Sequence, residues 1–218
     1  MSGMRLRLMS MPGDGLSRLL ASCRDLLAGV AEPRVGYLPA AAIGDNYLDP
    51  NVDAFEGLAA VDLIDPVAAS RDSILRTLDR VALLYVPGGN TSALVERLAR
   101  AGLITEIAGR LRDGLPYVGF SAGATLCGLD ILNSNDPNPS GSSDFAGLGL
   151  LPFSVNVHYP ADEARTERDE RLADYHHFQT APILALEDDA LLRVEGSEIT
   201  LAEGHAWVFD GSGERRPY

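Results

Sequence analysis

A serine stands between an apolar strand pattern and a helix pattern, with small residues around it. Residues 117–124 have the sequence YVGFSAGA, which places a glycine two residues before and two residues after Ser121. This spacing matches a nucleophile elbow, a sharp and strained turn that accepts only small neighbours. The following helix would add free backbone N–H groups and a positive dipole end beside the hydroxyl. The stretch therefore predicts a nucleophilic Ser121, although an ordinary strand-to-helix turn can also hold a serine.

The chain before this serine alternates between apolar strands and amphipathic helices. Such strands indicate a parallel sheet that is covered by helices on both faces, which is an α/β fold. We expect strands at 4–9, 35–39, 60–64, 82–86 and 117–120, and helices at 16–27, 70–80, 92–101 and 104–112.

The pattern changes after the serine. A loop at 133–143 is rich in Asn, Asp, Pro, Ser and Gly, and it is too long for a simple connection. A strand at 153–157 and a charged helix at 164–175 follow. Short strands at 183–186, 191–194, 199–201 and 206–209, joined by tight turns, then predict an antiparallel C-terminal β meander.

Composition limits the class of protein. The 218 residues are 46% hydrophobic and 22% charged, so we expect one globular domain over residues 1–218. Two cysteines are too few for a disulfide framework, and with no signal peptide in view they favour the cytoplasm. The net charge of −13 argues against nucleic acid or an anionic membrane as a partner. All 18 basic residues are arginines, which excludes Schiff-base and Ser–Lys chemistry.

A Gly-Gly turn follows the apolar strand at 82–86. Gly88 and Gly89 would lie at the carboxyl end of that strand, where open α/β sheets bind ligands. The N–H of one of these glycines, together with that of Ala122, could form an oxyanion hole. The same turn can instead serve the next helix, with Asn90 as its cap. The two interpretations are compatible.

A nucleophilic serine needs a base and a carboxylate to orient it. His158 ends an apolar strand and is the first candidate base, while His205 in the C-terminal strands is its rival. His176 and His177 end a charged helix, where they suit the helix dipole. Asp136 in the polar loop and Asp188 in an acidic turn are both candidate acids. We expect no metal site, because neither H-x-x-x-H nor C-x-x-C occurs.

Four stretches together resemble the peptidase E (aspartyl dipeptidase) family of serine peptidases, an S51-like group with cyanophycinases as more distant relatives. They are Gly-Gly-Asn-Thr at 88–91, GFSAGA at 119–124, Asn-Asp at 135–136, and NVHY at 156–159 with TERDERL at 166–172. The resemblance implies a flavodoxin-like three-layer sandwich of the class I glutamine amidotransferase type.

The resemblance also implies roles for individual residues. Ser121 would be the nucleophile and His158 the base, with Asp136 or Asp188 as the acid and Gly89 and Ala122 as oxyanion donors. The candidate substrate-binding residues are Asn90, Arg168 and Arg171, although both arginines can equally pair with neighbouring glutamates on a solvated helix. Pro87 stands where the family often has a glycine, and Thr125 stands where it often has an asparagine. These departures bear on the specificity for an N-terminal Asp residue.

The implied function is a serine exopeptidase that cleaves dipeptides or short peptides with an N-terminal acidic residue. It requires no cofactor, and its expected partner is a small peptide. We also consider a homodimer, although the sequence gives no oligomeric state. The alternatives are an α/β-hydrolase esterase that uses Ser121, Asp188 and His205, and a non-catalytic binding protein on the same fold.

Overall fold

The computed structural model describes residues 3–43, 50–212 and 214–218. The strands are β1 (Arg5–Met9), β2 (Arg34–Tyr37), β3 (Ala60–Leu63), β4 (Leu83–Val86), β5 (Tyr117–Phe120), β6 (Ser154–Asn156), β7 (Ile183–Leu186), β8 (Leu191–Glu195), β9 (Glu198–Glu203), β10 (Ala206–Phe209) and β11 (Arg216–Pro217). The helices are α1 (Ser17–Leu26), α2 (Arg71–Leu78), α3 (Thr91–Arg100), α4 (Ile104–Arg112), α5 (Ala122–Thr125) and α6 (Arg165–Tyr175), with 3-10 turns at Asp14–Leu16 and Pro50–Phe55.

The larger sheet has seven strands within the described residues, in the order β3-β2-β4-β5-β1-β8-β9. The first five strands of that order are parallel, and β8 and β9 continue the sheet as an antiparallel hairpin beside β1. The mostly parallel central sheet expected from the sequence is therefore confirmed.

This sheet is the middle of three layers. Side chains alternate along β4, so Leu84 and Val86 enter the core under α2, α3 and α4, whereas Leu83 and Tyr85 enter the core under α1. All four β4 residues are buried, since helices cover both faces of the strand. The expected α/β class and the layered arrangement follow directly from these apolar runs.

The C-terminal strands differ from the predicted meander. β8 and β9 join the larger sheet, whereas β7 and β10 lie in a second sheet of order β11-β10-β7-β6, counted over the described residues. In β7, Leu184 and Leu186 pack on the main core, while Ile183 and Ala185 pack under α6. Because both faces of β7 are apolar, it needs cover on both sides, which one exposed meander would not supply.

The helix bounds lie within two residues of those expected from the sequence. Side-chain caps fix the first turns of two helices. The Ser70 hydroxyl accepts from Ser73 N at 3.3 Å before α2, and the Asn90 side chain accepts from Ala93 N at 2.8 Å before α3. Nowhere in the described ranges is a helix both long and apolar enough to span a membrane. The carboxyl ends of the adjacent strands β4, β5 and β1 meet at one edge of the sheet, and the candidate site lies there.

Candidate active site

Ser121 occupies the strained turn that its neighbours predict. Its backbone has φ 50° and ψ −115°, a region that non-glycine residues avoid at a cost of about 1–3 kcal/mol. The turn is held from outside, because Ser121 N donates to the Met9 carbonyl at 3.0 Å and Thr125 N donates to the Ser121 carbonyl at 3.0 Å. Neighbouring strand β1 and helix α5 thus fix the hydroxyl at the sheet edge.

The two glycines of the G-x-S-x-G pattern are required by close backbone contacts. A Cβ on Gly123 would lie 2.1 Å from the Val86 carbonyl oxygen, and one on Gly119 would lie 2.6 Å from the Gly123 carbonyl oxygen. The buried Tyr117 hydroxyl donates to that Gly123 oxygen at 2.6 Å, which closes the turn. Larger residues would push α5 away from β4 and displace Ser121.

A chain of hydrogen bonds connects Ser121 to a carboxylate. Ser121 Oγ lies 2.9 Å from His158 Nε2, and His158 Nδ1 lies 2.7 Å from Asp188 Oδ1. The imidazole tautomer with its proton on Nδ1 would donate to Asp188 and leave Nε2 to accept from the serine hydroxyl. His158 lies two residues after the end of β6, and Asp188 lies two residues after the end of β7. The two strands are parallel neighbours. Pairing of these two strands therefore brings histidine and aspartate together.

The two expected oxyanion donors lie next to the serine. Within the described chain, neither Gly89 N nor Ala122 N donates a hydrogen bond, so both groups are free for a ligand. A Cβ on Gly88 would lie 3.0 Å from Ser121 Cβ, which brings the Gly-Gly turn against the nucleophile. Gly89 has φ 138° and approaches the Ala41 carbonyl, where a Cβ would lie 2.4 Å from the oxygen. Only glycine fits this turn.

Sequence reasoning missed Ser10. It is fully buried at the end of β1, and its hydroxyl accepts from His158 N at 2.7 Å while lying 3.2 Å from Asp188 Oδ1. His158 has φ 55°, and this bond fixes its left-handed backbone. The available signal was its place directly after a buried strand, at the edge where ligands bind.

Two predicted site residues contact the scaffold instead. Asp136 Oδ2 accepts from Thr91 N at 2.8 Å and from Thr91 Oγ1 at 2.6 Å, so Asp188 and not Asp136 is the carboxylate at His158. Asn90 caps α3 and donates its amide to the Pro137 carbonyl at 2.9 Å. Both side-chain groups of Asn90 thus make contacts within the protein.

The rival histidine lies elsewhere. His205 Nδ1 lies 2.8 Å from Asp189 Oδ2, so the esterase arrangement of Ser121, Asp188 and His205 does not form. Glu187, Asp189 and His205 place ligand atoms within 4.8 Å of one another. Glu187 Oε1, however, already accepts from Arg165 at 2.5 Å and from Trp207 Nε1 at 2.7 Å. This cluster is a protein hydrogen-bond network rather than an open ligand set.

Arg168 and Arg171 project from α6 toward the loop around Asn135. Arg168 donates to Asn156 Oδ1 at 3.0 Å, and Arg171 donates to Asn135 Oδ1. Among the described residues no carboxylate lies within 4.0 Å of either guanidinium. Burial, together with the charge of Arg171, lowers the pKa of Arg168, and burial lowers the pKa of Arg171. In the described chain the alternative of a close ion pair with a helix glutamate is therefore not seen, although the charge of Glu167 attracts both arginines.

Fold and site together define a class: a three-layer α/β protein with a nucleophile elbow, a paired histidine and two free backbone donors. Comparison with known families gives the membership. Residues 9–202 match the family model described as Peptidase family S51, and the chain belongs to this family.

Individual relatives come from several organisms and are named Peptidase E or alpha-aspartyl dipeptidase. The chain is 36% identical over 132 residues to Peptidase E of Streptomyces coelicolor, covering 58% of this chain and 54% of that protein. It is 31% identical over 183 residues to Peptidase E of Shewanella putrefaciens, covering 80% and 77%. A Drosophila melanogaster protein named "Probable alpha-aspartyl dipeptidase" is 34% identical over 145 residues, covering 63% and 60%.

Solved structures agree on the fold. A Listeria monocytogenes EGD-e structure has a TM-score of 0.76 at 22% identity and covers 93% of this chain and 100% of that one. The crystal structure of a peptidase from an acI-B1 Actinobacterium has a TM-score of 0.72 at 17% identity and covers 100% and 98%. At these identities the likeness concerns architecture alone.

Proposed function

We propose that the protein is a serine exopeptidase that hydrolyses dipeptides or short peptides with an N-terminal acidic residue, through an acyl-enzyme on Ser121. The observation that carries the proposal is the connected series Ser121 Oγ, His158 and Asp188, with distances of 2.9 and 2.7 Å, on a strained elbow. Membership in a peptidase family supports the same reaction class.

In the proposed reaction, Ser121 Oγ attacks the scissile carbonyl carbon while His158 Nε2 takes the hydroxyl proton. The carbonyl oxygen becomes an oxyanion that accepts from Gly89 N and Ala122 N. The resulting imidazolium is held by Asp188 and gives its proton to the departing amine nitrogen. The C–N bond then breaks and leaves an ester on Ser121. Water, deprotonated by His158, cleaves that ester and regenerates the hydroxyl.

The arginines support an acidic substrate. Arg168 and Arg171 are partly buried, close to each other, and without a carboxylate within 4.0 Å in the described chain. Burial, and at Arg168 also the charge of Arg171, lowers the pKa of these two groups, and the attraction of Glu167 does not offset this. A further anion that neutralised them would therefore be favourable. A substrate carboxylate would do so, and the guanidinium fork suits it. The name of the Drosophila relative, "Probable alpha-aspartyl dipeptidase", agrees with this preference.

The test compares Asp-Leu with Asn-Leu, which has nearly the same shape but lacks the charge. We expect Asp-Leu to be hydrolysed much faster, and Ser121→Ala to lower its turnover by at least about 10³-fold. Ser197→Ala, in an exposed turn, is the control. A fluorophosphonate should label the wild type but not Ser121→Ala. Undiminished turnover by Ser121→Ala would refute the mechanism, and absent labelling and turnover in the wild type would favour a non-catalytic binding protein.

We further propose a cytoplasmic enzyme that acts on small peptides, without a nucleic-acid or membrane partner and with a homodimer as the assembly to test. The net charge of −13 and two free buried cysteines support this setting. Sedimentation of the purified chain would give the oligomeric state directly.

A further inference from the structure

Asp188 is the exposed end of the hydrogen-bonded series. Its side chain is 64% accessible, against 36% for His158. The carboxylate contacts His158 Nδ1 at 2.7 Å and Ser10 Oγ at 3.2 Å. Because water competes for an exposed carboxylate, its direction depends strongly on the backbone that carries it. The neighbours of Asp188 in the chain therefore decide how well it orients the histidine.

Glu187, the residue before Asp188, anchors this backbone in the interior. It is only 6% exposed. Its Oε1 accepts from Arg165 Nη2 at 2.5 Å and from Trp207 Nε1 at 2.7 Å, and its backbone N donates to the His205 carbonyl at 3.0 Å. A buried carboxylate without its cation is strongly unfavourable. Arg165 therefore keeps Glu187 inside, and with it the start of the aspartate turn.

Arg165 also contacts the segment that carries His158. Its Nε donates at 2.7 Å to the carbonyl of Pro160, two residues after His158. Its guanidinium carbon lies 5.7 Å from the centre of the Tyr159 ring and 5.0 Å from that of Trp207, distances at which a cation and an aromatic ring attract. The fork of N–H groups is rigid, so one side chain fixes the two segments relative to each other.

This contact reaches further than the paired strands. Beyond the ends of β6 and β7, Tyr159 N still donates to the Leu186 carbonyl at 2.9 Å. Pro160 and Glu187 are the next residues of the two segments, and Arg165 connects them by its 2.7 and 2.5 Å bonds. The side chain thus extends the connection between the segments toward the catalytic turn.

We propose that Arg165 is a positioning residue: by connecting the segment of His158 to that of Asp188, it sets the geometry of the acid–base pair. It acts through this pair and not on the substrate, which separates it from the role proposed for Arg168 and Arg171. The proposal rests on the proposed function, since it assumes that the serine reacts.

The kinetic test removes the guanidinium and keeps the length of the stem. A catalytic group displaced by about 1 Å can cost about 10²-fold, so Arg165→Met should lower kcat on Asp-Leu about 10- to 100-fold and keep KM within about threefold. Arg165→Lys keeps a charge for Glu187 but lacks the fork that serves both acceptors, so its kcat should lie between those of Arg165→Met and wild type. A raised KM at unchanged kcat would overturn the proposal, because Arg165 would then act with the substrate-binding arginines.

The rate of fluorophosphonate labelling is a readout that does not depend on the peptide. Ser121 Oγ displaces fluoride from phosphorus while His158 takes the hydroxyl proton, so the rate reports the acid–base pair. Arg165→Met should be labelled about 10- to 100-fold more slowly but to the same final extent. An unchanged rate would overturn the proposal. A lower final extent would reveal a folding defect, and Arg165→Lys then decides by the same two quantities.

Arg110→Met is the matched control. Arg110 is 23% exposed, against 24% for Arg165, and it also donates to two groups, Asp79 and Glu106, but it lies on α4. Its loss should leave kcat and the labelling rate within about twofold. A loss equal to that of Arg165→Met would overturn the proposal.

A double variant tests whether the two residues act as one unit. Arg165→Met combined with Glu187→Gln should lose no more kcat than the worse single variant, whereas additive losses would overturn the connection. Wild type that is labelled but does not cleave Asp-Leu would refute the proposed peptidase function alone, because the labelling rates still test Arg165. Wild type that is not labelled would overturn both.

Discussion

The two halves of the candidate site are held by different forces. The serine half belongs to the seven-stranded sheet, and backbone contact fixes it: Cβ atoms on Gly119, Gly123 and Gly89 would lie 2.1–2.6 Å from carbonyl oxygens. The histidine half follows the second sheet, and hydrogen bonds from His158 to the Ser10 hydroxyl and the Asp188 carboxylate fix it. The steric contacts are marked in the sequence by glycines, although the partners of two of them, Val86 and Ala41, lie far away in the chain. The hydrogen-bond partners of His158 carry no such mark.

Breaking the histidine half should have the largest effect. Asp188→Asn is expected to lower kcat about 10³- to 10⁴-fold, because the amide favours the wrong imidazole tautomer. Asp189→Asn is the matched control, since Asp189 makes a similar 2.8 Å contact with His205. Steady-state kinetics on Asp-Leu would measure both. Equal losses in the two variants would remove Asp188 from its assigned role.

Breaking the serine half should cost stability as well as activity. Gly123→Ala places a Cβ 2.1 Å from the Val86 carbonyl, so we expect a loss of about 1–3 kcal/mol in the free energy of unfolding. Gly109→Ala in α4 meets no atom within 4 Å and should be neutral or stabilising by up to about 1 kcal/mol. Urea denaturation measures both. A Gly123 variant as stable and active as wild type would show that the elbow tolerates a side chain.

Ser10 links the two halves, and its removal should have an intermediate effect. Ser10→Ala leaves His158 N unpaired, and we expect kcat to fall about tenfold. The loss should fall on kcat and leave KM unchanged, because Ser10 contacts both His158 N and the Asp188 carboxylate. Ser154→Ala removes an equally buried hydroxyl outside this network and should lower stability alone. An unchanged kcat in Ser10→Ala would reduce Ser10 to a packing role.

The smallest effect concerns the thiol under the elbow. Burial raises the pKa of Cys127 from 9.0 to about 12. The folded state therefore binds this proton more tightly than the unfolded chain, so the contribution to stability is complete below pH 9 and is lost as pH rises toward 12. Chemical denaturation should show a shallower alkaline decline in Cys127→Ala than in wild type. Identical alkaline declines in the variant and the wild type would contradict this role of the Cys127 thiol.

Much of the serine half could be predicted from the sequence. Small residues around Ser121 and the Gly-Gly turn after β4 mark places where another part of the backbone comes close, and these glycine patterns are visible in the sequence. The apolar strands likewise predicted the parallel sheet, because burial on both faces requires continuous hydrophobic runs.

The choice between Asp136 and Asp188 needed the tertiary structure. Both are acidic residues in polar turns, and nothing local distinguishes them. Pairing of β6 with β7 places Asp188 beside His158 across 30 residues of chain, while Asp136 reaches Thr91 across 45 residues. Ser10 lies 148 residues from His158 and was equally invisible.

The sequence by itself determined the positions of the serine turn and of the Gly-Gly turn, because a close backbone approach requires glycine there, whichever part of the chain makes the approach. Only the tertiary structure decided which carboxylate orients His158 and that Ser10 supports it. Hydrogen-bond partners are chosen by proximity in space, and the packing of two sheets sets that proximity.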